Sequence, residues 1–401
     1  MKKIHLSLLC ILMTCLLPGE EHPIRIGVLQ STPQHAETYR KAGLDLAVLE
    51  MIWSEFEPEP GRVSQAYVDQ QRERLHAFRD AGLDVILVFG VQYPPEWLRN
   101  LPHARYQNQY GESFIDPSPG MNVVNSVFNA EIREHQADYY AKVFEHLGND
   151  FFGVRIGGGW YGEVNYPPHR FGEAENVYWG FDPIAQGKRP GLPEGMKPSP
   201  VPGWIPGSPE GDADAPRLFI TWMLESLQHY HDWQIQTVRE HYDGPLMMLY
   251  PSWGLRSGQL EAAIDGRLSG KTQAERNGEI QRGFDFERYV AGIRDPKVMP
   301  HSTWVDSDPA FGNDDSDQPA DFSPLLYLHH LTRKHPLPLR VSGENTGGGG
   351  AEIMRLCGER VRRTDAGIFL WAFESDLMRG DSPGPRGLAE YFLTHSQEKQ
   401  E

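Results

Sequence analysis

The feature that most constrains this chain is an alternation. Eight short apolar runs take turns with eight amphipathic stretches of helical period, and no shift in composition divides the series. The strand-like runs fall at 24–29, 44–50, 85–89, 151–156, 246–250, about 298–305, 339–342 and 367–373. The helical stretches fall at 33–42, 67–81, 129–147, 218–241, 284–293, 324–334, 351–363 and 388–395. Strands that regularly alternate with helices make parallel sheets, and eight such units close into a barrel. The expectation is an α/β chain, a (β/α)8 barrel in a single domain over 20–401.

Two segments stand outside the alternation. Met1-Lys2-Lys3 leads into an apolar run ended by Pro18 and Gly19, the pattern of a secretory signal peptide over 1–19 and too short to span a membrane. This places the mature chain outside the cytoplasm, secreted or periplasmic. Cys10 and Cys15 leave with the leader, so Cys357 remains alone and no intrachain disulfide forms. The second segment, 167–216, is dense in Pro, Gly and acidic residues. It is long for a structureless loop and reads as a lid over a site or as partly disordered.

In a (β/α)8 barrel the chemistry sits at the C-terminal ends of the strands, which share one mouth. Those ends carry Glu50 and Trp53, Gln92 and Trp97, Glu163, Tyr250 and Trp253, Asp306 and Asp308, Glu344 and Asn345, and Trp371, Glu374 and Asp376. Glu163 follows a glycine-dense stretch, Gly157-Gly-Gly159-Trp160-Tyr161-Gly162, and is followed by Tyr166. Glycines let backbone and ligand approach closely, and aromatic faces suit sugar rings. Glu344 is followed by four glycines at 347–350. Carboxylates converging with aromatics are what acetal hydrolysis needs: one protonates the leaving oxygen, while the other attacks carbon or activates water.

Other chemistries find less support. The net charge of −17 argues against nucleic acid and anionic membranes as partners and favours a neutral ligand. His329-His330 has no companions at metal spacing, so neither a metal nor another cofactor is expected. No nucleophile elbow, P-loop or dinucleotide fingerprint is present.

The motifs resemble a known family. Gly162-Glu163-Val-Asn-Tyr166-Pro167 is similar to the G-E-L-R-Y-P motif of the β-amylases, glycoside hydrolase family 14, whose Glu is the general acid. Gly43-Leu-Asp-Leu-Ala-Val-Leu-Glu50-Met-Ile-Trp53, Phe219-Ile-Thr-Trp222, Gly343-Glu344-Asn345 and Phe369–Leu377 resemble further family elements in the same order. Thr303-Trp304-Val305-Asp306 takes the place of T-C-L-E-M, which holds the family's general base, with Asp for Glu. The glycine-rich loop after strand three and the substrate-binding Lys of strand five have no counterpart here. Pro94-Pro95-Glu96-Trp97-Leu98 and Trp53–Gly61 resemble the family 42 β-galactosidases instead. In those the acid/base follows strand four and the nucleophile strand seven, although Asn stands before the acid where this chain has Gly162.

These resemblances imply a glycoside hydrolase acting on an oligo- or polysaccharide, with Glu163 as acid. The second carboxylate is Asp306 if the mechanism inverts and Glu344 if it retains configuration. Glu50, Trp53, Trp97, Tyr161, Tyr166, Trp253, Asn345 and Trp371 are the candidate substrate contacts. A non-catalytic carbohydrate-binding protein is the reading from a different class.

Overall fold

The structure is a computed structural model that describes residues 24–116, 121–364 and 366–393. The expected leader and the end of the last expected helix lie outside the described residues. Eight parallel strands close in chain order: β1 (Arg25–Val28), β2 (Leu46–Glu50), β3 (Asp84–Val88), β4 (Gly153–Ile156), β5 (Leu246–Tyr250), β6 (Val298–Ser302), β7 (Ser342–Glu344) and β8 (Ile368–Trp371), with β8 pairing back to β1. The principal helices between and after them are α1 (Ala36–Ala42), α2 (Gln65–Asp80), α3 (Ala130–Leu147), α4 (Ala215–Arg239), α5 (Phe286–Gly292), α6 (Pro324–Lys334), α7 (Ala351–Thr364) and α8 (Gly384–Leu393). The chain folds as the (β/α)8 barrel that the alternation implies.

Strand side chains alternate between two cores. Leu46, Val48, Ile86, Val88, Met247, Met299, Ile368 and Leu370 fill the barrel interior. Ala47, Leu49, Leu87, Phe369 and Trp371 face outward into the larger core beneath the helices. Two residues beyond Val48 on the same face comes Glu50, and two residues beyond Met299 comes His301. Toward the mouth the interior thus turns from apolar to charged, where Glu50, Arg155, His301 and Glu344 replace the aliphatic layer.

Helix caps hold the surrounding elements in place. The Asn129 side chain accepts from the backbone N–H groups of Glu131 and Ile132 at the start of α3, and Ser64 accepts from Tyr67 N at the start of α2. The 25-residue α4 braces the loop after β4, where its Gln234 Nε2 donates to the Gly157 carbonyl at 3.0 Å.

Two expectations need adjustment. The seventh strand begins at Ser342, not Leu339. Leu339 and Val341 are buried in the outer core, but the preceding Pro336-Leu-Pro338 leaves that stretch outside the ladder, which only Ser-Gly-Glu joins. The long excursion is neither a lid nor loose. Trp179 is fully buried and donates to the Pro168 carbonyl, Phe181 N donates to the Gln107 carbonyl, and Trp204 packs near Phe219 of α4. Residues 167–214 lie against the flank of the barrel and contribute nothing to the lining of the mouth cavity.

Candidate active site

The loop after β4 is built by its glycines. Gly158 and Gly162 adopt φ of 76° and 78°, and a Cβ on Gly157 would sit 2.1 Å from the Gly162 carbonyl oxygen. Gly159 N donates to the Glu163 carbonyl at 2.7 Å, and Gly162 N donates to the Gly159 carbonyl at 2.8 Å. Val164 N then ties the loop to the Leu249 carbonyl of β5. The turn leaves Glu163 fixed between β4, β5 and β6, facing a cavity of about 490 Å³ at the barrel mouth.

Glu163 is 8% exposed. Its Oε1 lies 2.8 Å from Thr303 Oγ1, Asn165 Nδ2 donates to Oε2 at 2.9 Å, and Arg282 Nη2 lies 3.6 Å from Oε2. Burial pushes its pKa up to about 7, against the charge of Arg282 and the hydrogen bonds of Thr303 and Asn165, while Glu344 adds to the rise. Thr303 Oγ1 is also 3.1 Å from the Tyr250 carbonyl. A hydroxyl has one proton and a carbonyl only accepts, so Thr303 has two settings. It donates to an ionised Glu163, or it donates to Tyr250 and accepts the proton of a neutral one.

Glu344, also 8% exposed, ends β7 on the inner face of the barrel. Arg155 Nη2 donates to its Oε2, and His301 Nε2 lies 3.3 Å from the same oxygen. His301 Nδ1 is 2.9 Å from Ser342 Oγ. Burial disfavours the charge on Glu344, but Arg155 and His301 outweigh it and hold the carboxyl below its usual range. Burial also holds His301 below the usual imidazole value, so the ring is neutral with Nε2–H toward the carboxylate and Ser342 donating to Nδ1.

A third carboxyl, Glu50, faces the same cavity from β2. Burial raises its pKa, with Arg155 opposing, and Gln92 Nε2 donates to Oε1 at 3.3 Å. Asn345 and Tyr161 line the cavity too. Asn345 Oδ1 accepts from Ala372 N at 2.8 Å, while its Nδ2 is buried without a protein partner and so remains a free donor.

The other candidates lie elsewhere. Asp306 does not line the cavity: its oxygens accept from Thr346 N at 2.8 Å and Thr346 Oγ1 at 2.9 Å, which fixes the loop after β7. Trp53 is fully buried, stacked on Tyr139 at 4.6 Å. Trp97 donates to the Glu57 carbonyl, and Tyr166 donates to the Met223 carbonyl beneath the loop. Trp253 stacks with the Arg256 guanidinium, and Trp371 faces the outer core. None of these four aromatic groups, nor Trp53, borders the cavity.

Sequence reading missed Arg155, His301, Thr303, Asn165 and Arg282. The signal for the first was a charge inside the apolar run of β4, and for the second an imidazole with the inward parity of β6. Arg282 carries no local signal, since it reaches Glu163 from an excursion after β5. Among the described residues, no group of three or more His, Cys, Asp or Glu side chains could hold a metal ion, and no helix is long and apolar enough to cross a membrane.

No protein-family model matches the sequence, and no curated protein does. Solved structures do match in three dimensions. The catalytic domain of β-amylase from Paenibacillus polymyxa superposes with a TM-score of 0.66 at 13% identity, over 93% of this chain and 98% of that one. The β-galactosidase of the psychrophilic Marinomonas ef1 gives 0.57 at 15% identity, over 92% of this chain and 59% of that one. A β-galactosidase from the haloarchaeon Halorubrum lacusprofundi gives 0.51 at 17% identity, over 92% and 57%. The chain thus spans nearly all of the β-amylase domain and under three fifths of the two β-galactosidases. At such identities the likeness is one of fold: the protein shares the (β/α)8 barrel of these glycoside hydrolases.

Proposed function

We propose that the protein is a retaining glycoside hydrolase of oligo- or polysaccharides, with Glu163 as acid/base and Glu344 as nucleophile. The observation that carries the reading is one cavity faced by two buried carboxyls of opposite tendency. Burial pushes the Glu163 carboxyl up to about 7, so a protonated population persists near neutral pH, while Arg155 and His301 hold Glu344 below its usual range. Environments that push two carboxyl pKa values apart mark the acid and its partner.

In the first step Glu163 gives its proton to the leaving glycosidic oxygen as Glu344 attacks the anomeric carbon, forming a glycosyl ester. Glu163, now ionised, takes a proton from water, and that oxygen displaces Glu344 from the anomeric carbon. Thr303 serves both stages, accepting from the neutral acid and donating to the ionised base. The Asn165 amide adjoins the other oxygen of Glu163, and the free Asn345 donor and Glu50 are placed to bind sugar hydroxyls. Asp306 is engaged with Thr346 away from the cavity, which supports Glu344 over Asp306 as the second carboxylate. The leader-like residues 1–19 support action outside the cytoplasm.

Proton NMR of the first-formed anomer on a cleavable oligosaccharide tests the mechanism. A product that keeps the substrate's configuration supports Glu344 as nucleophile. An inverted product would overturn that role and leave the second carboxylate to activate water.

A further inference from the structure

Tyr161 is a large ring held in a backbone conformation that disfavours it. Its φ is 59°, in the left-handed region, and its side chain is 53% exposed although it borders the cavity. The left-handed conformation costs an L-residue about 1–2 kcal/mol, and a half-exposed ring recovers little of that by burial. Among the described residues, His103, Arg267 and Leu268 are the other non-glycine residues at positive φ, and none of them borders this cavity.

The ring is backed rigidly. Its centroid lies 4.2 Å from that of Trp160, whose Nε1 donates to Asp116 Oδ2 at 2.5 Å and whose ring packs against the core, with the Arg282 guanidinium 5.0 Å from its centroid. Hydrogen bonds from Gly158 to Gly162 and from Gly159 to Glu163 close the loop on both sides of Tyr161. The loop that holds the carboxyl of Glu163 therefore also holds an aromatic face two residues away.

Exposure gives the cavity a direction. Glu163 and Glu344 are nearly buried and Arg155 is more so, whereas Tyr161 opens to solvent. The leaving group of a cleaved bond departs beside the proton donor, and Tyr161 stands two residues before Glu163 on the same loop, where the cavity wall opens to solvent. We propose that Tyr161 is the platform of a leaving-group subsite, so that preferred substrates are glycosides whose leaving group presents a flat carbon face. A further sugar ring and an aryl aglycone share that chemistry. The proposal rests on the glycosidase reading of Glu163.

The test compares kcat/KM of the wild type and Tyr161→Ala on an oligosaccharide, an aryl glycoside and a glycosyl fluoride with the same glycon. Loss of the stacked face should cost about tenfold on the first two and less than about twofold on the fluoride. A loss confined to the oligosaccharide identifies a sugar ring as the occupant, and a loss confined to the aryl glycoside identifies the aglycone. Equal loss on all three overturns the proposal, since Tyr161 would then only shape the acid's loop. Tyr161→Asn tolerates the positive φ and should reproduce the pattern with an unchanged Tm. Oligosaccharide binding measured by calorimetry in a Glu163→Gln background separates the two readings. Affinity that falls on adding Tyr161→Ala, in a protein whose wild type cleaves nothing, removes the hydrolase reading and keeps the platform. Affinity indifferent to Tyr161 overturns the platform.

Discussion

Arg155, in the middle of β4, reaches through the barrel interior to form an ion pair with Glu344 at the end of β7, and both side chains are almost wholly buried. A buried carboxylate is costly unless it is paired, and removing one partner of such a pair leaves the other uncompensated. With His301 and Ser342 behind it, this pair fixes both the charge and the direction of Glu344.

Arg155→Met should therefore change more than stability. The loss is expected to be about 3–5 kcal/mol near neutral pH. The sign of its pH dependence should also reverse. In the wild type the carboxyl of Glu344 is held below its ordinary value of 4.5, so its contribution is present above that pH and is lost on acidification. Without Arg155, burial dominates and raises the carboxyl, so the contribution declines as pH rises past the ordinary value. Thermal melts from pH 4 to 8 would show this, and the acid limb of kcat/KM should move to higher pH. An unmoved limb would remove Glu344 from the reaction.

For Glu163 the sign runs the other way. Its folded pKa of about 7 lies above the ordinary 4.5. The protonated form is favoured by the fold, so stability is lost as pH rises from about 4.5 and levels off above about 7, at a total of about 3 kcal/mol. Glu163→Gln carries no charge and should melt higher than the wild type at pH 8 and close to it at pH 4. The same substitution should lower kcat by about 10²–10⁴-fold on unactivated substrates and abolish the alkaline limb near pH 7. A limb that survives the substitution belongs to another group.

How far the sequence discloses this site follows from strand parity. Glu163 is legible because glycines and a carboxylate gather at one strand end, and Glu344 because a carboxylate precedes a glycine run. Trp53 and Trp371 sit at strand ends just as plainly, but one more residue along the strand or loop turns a side chain to the opposite face. Both point into the core beneath the helices. Arg155 and His301 stand within the strands, but their inward direction emerges only when eight registers close together. Arg282 belongs to no strand end at all. The alternation of strands and helices was legible throughout, and it failed locally at β7, where tertiary pairing recruits Ser-Gly-Glu against its weak strand preference.

Trp53→Ala and Trp371→Ala should accordingly behave as core truncations. Each removes a fully buried ring and should cost about 3–5 kcal/mol in chemical denaturation. In the folded fraction KM should stay within about twofold of the wild type, since neither ring borders the cavity. A large rise in KM at unchanged stability would return either residue to the substrate.

Asp306 and Glu344 are the two partners that sequence motifs offer to Glu163, and their surroundings separate them. Asp306 spends both oxygens on Thr346, which borders the cavity, so Asp306→Ala should loosen the loop after β7 and lower kcat/KM by about tenfold through Thr346 and Asn345. Glu344→Ala removes the attacking group and should cost at least about 10³-fold. Azide added to the Glu344→Ala protein enters the vacated face and should restore turnover of an activated glycoside, giving a glycosyl azide of inverted configuration. Asp306→Ala should show no such rescue and should release the same anomer as the wild type. If Asp306→Ala is the variant that loses at least about 10³-fold, and the wild type releases the inverted anomer, the water-activating role passes to Asp306 and the retaining mechanism falls.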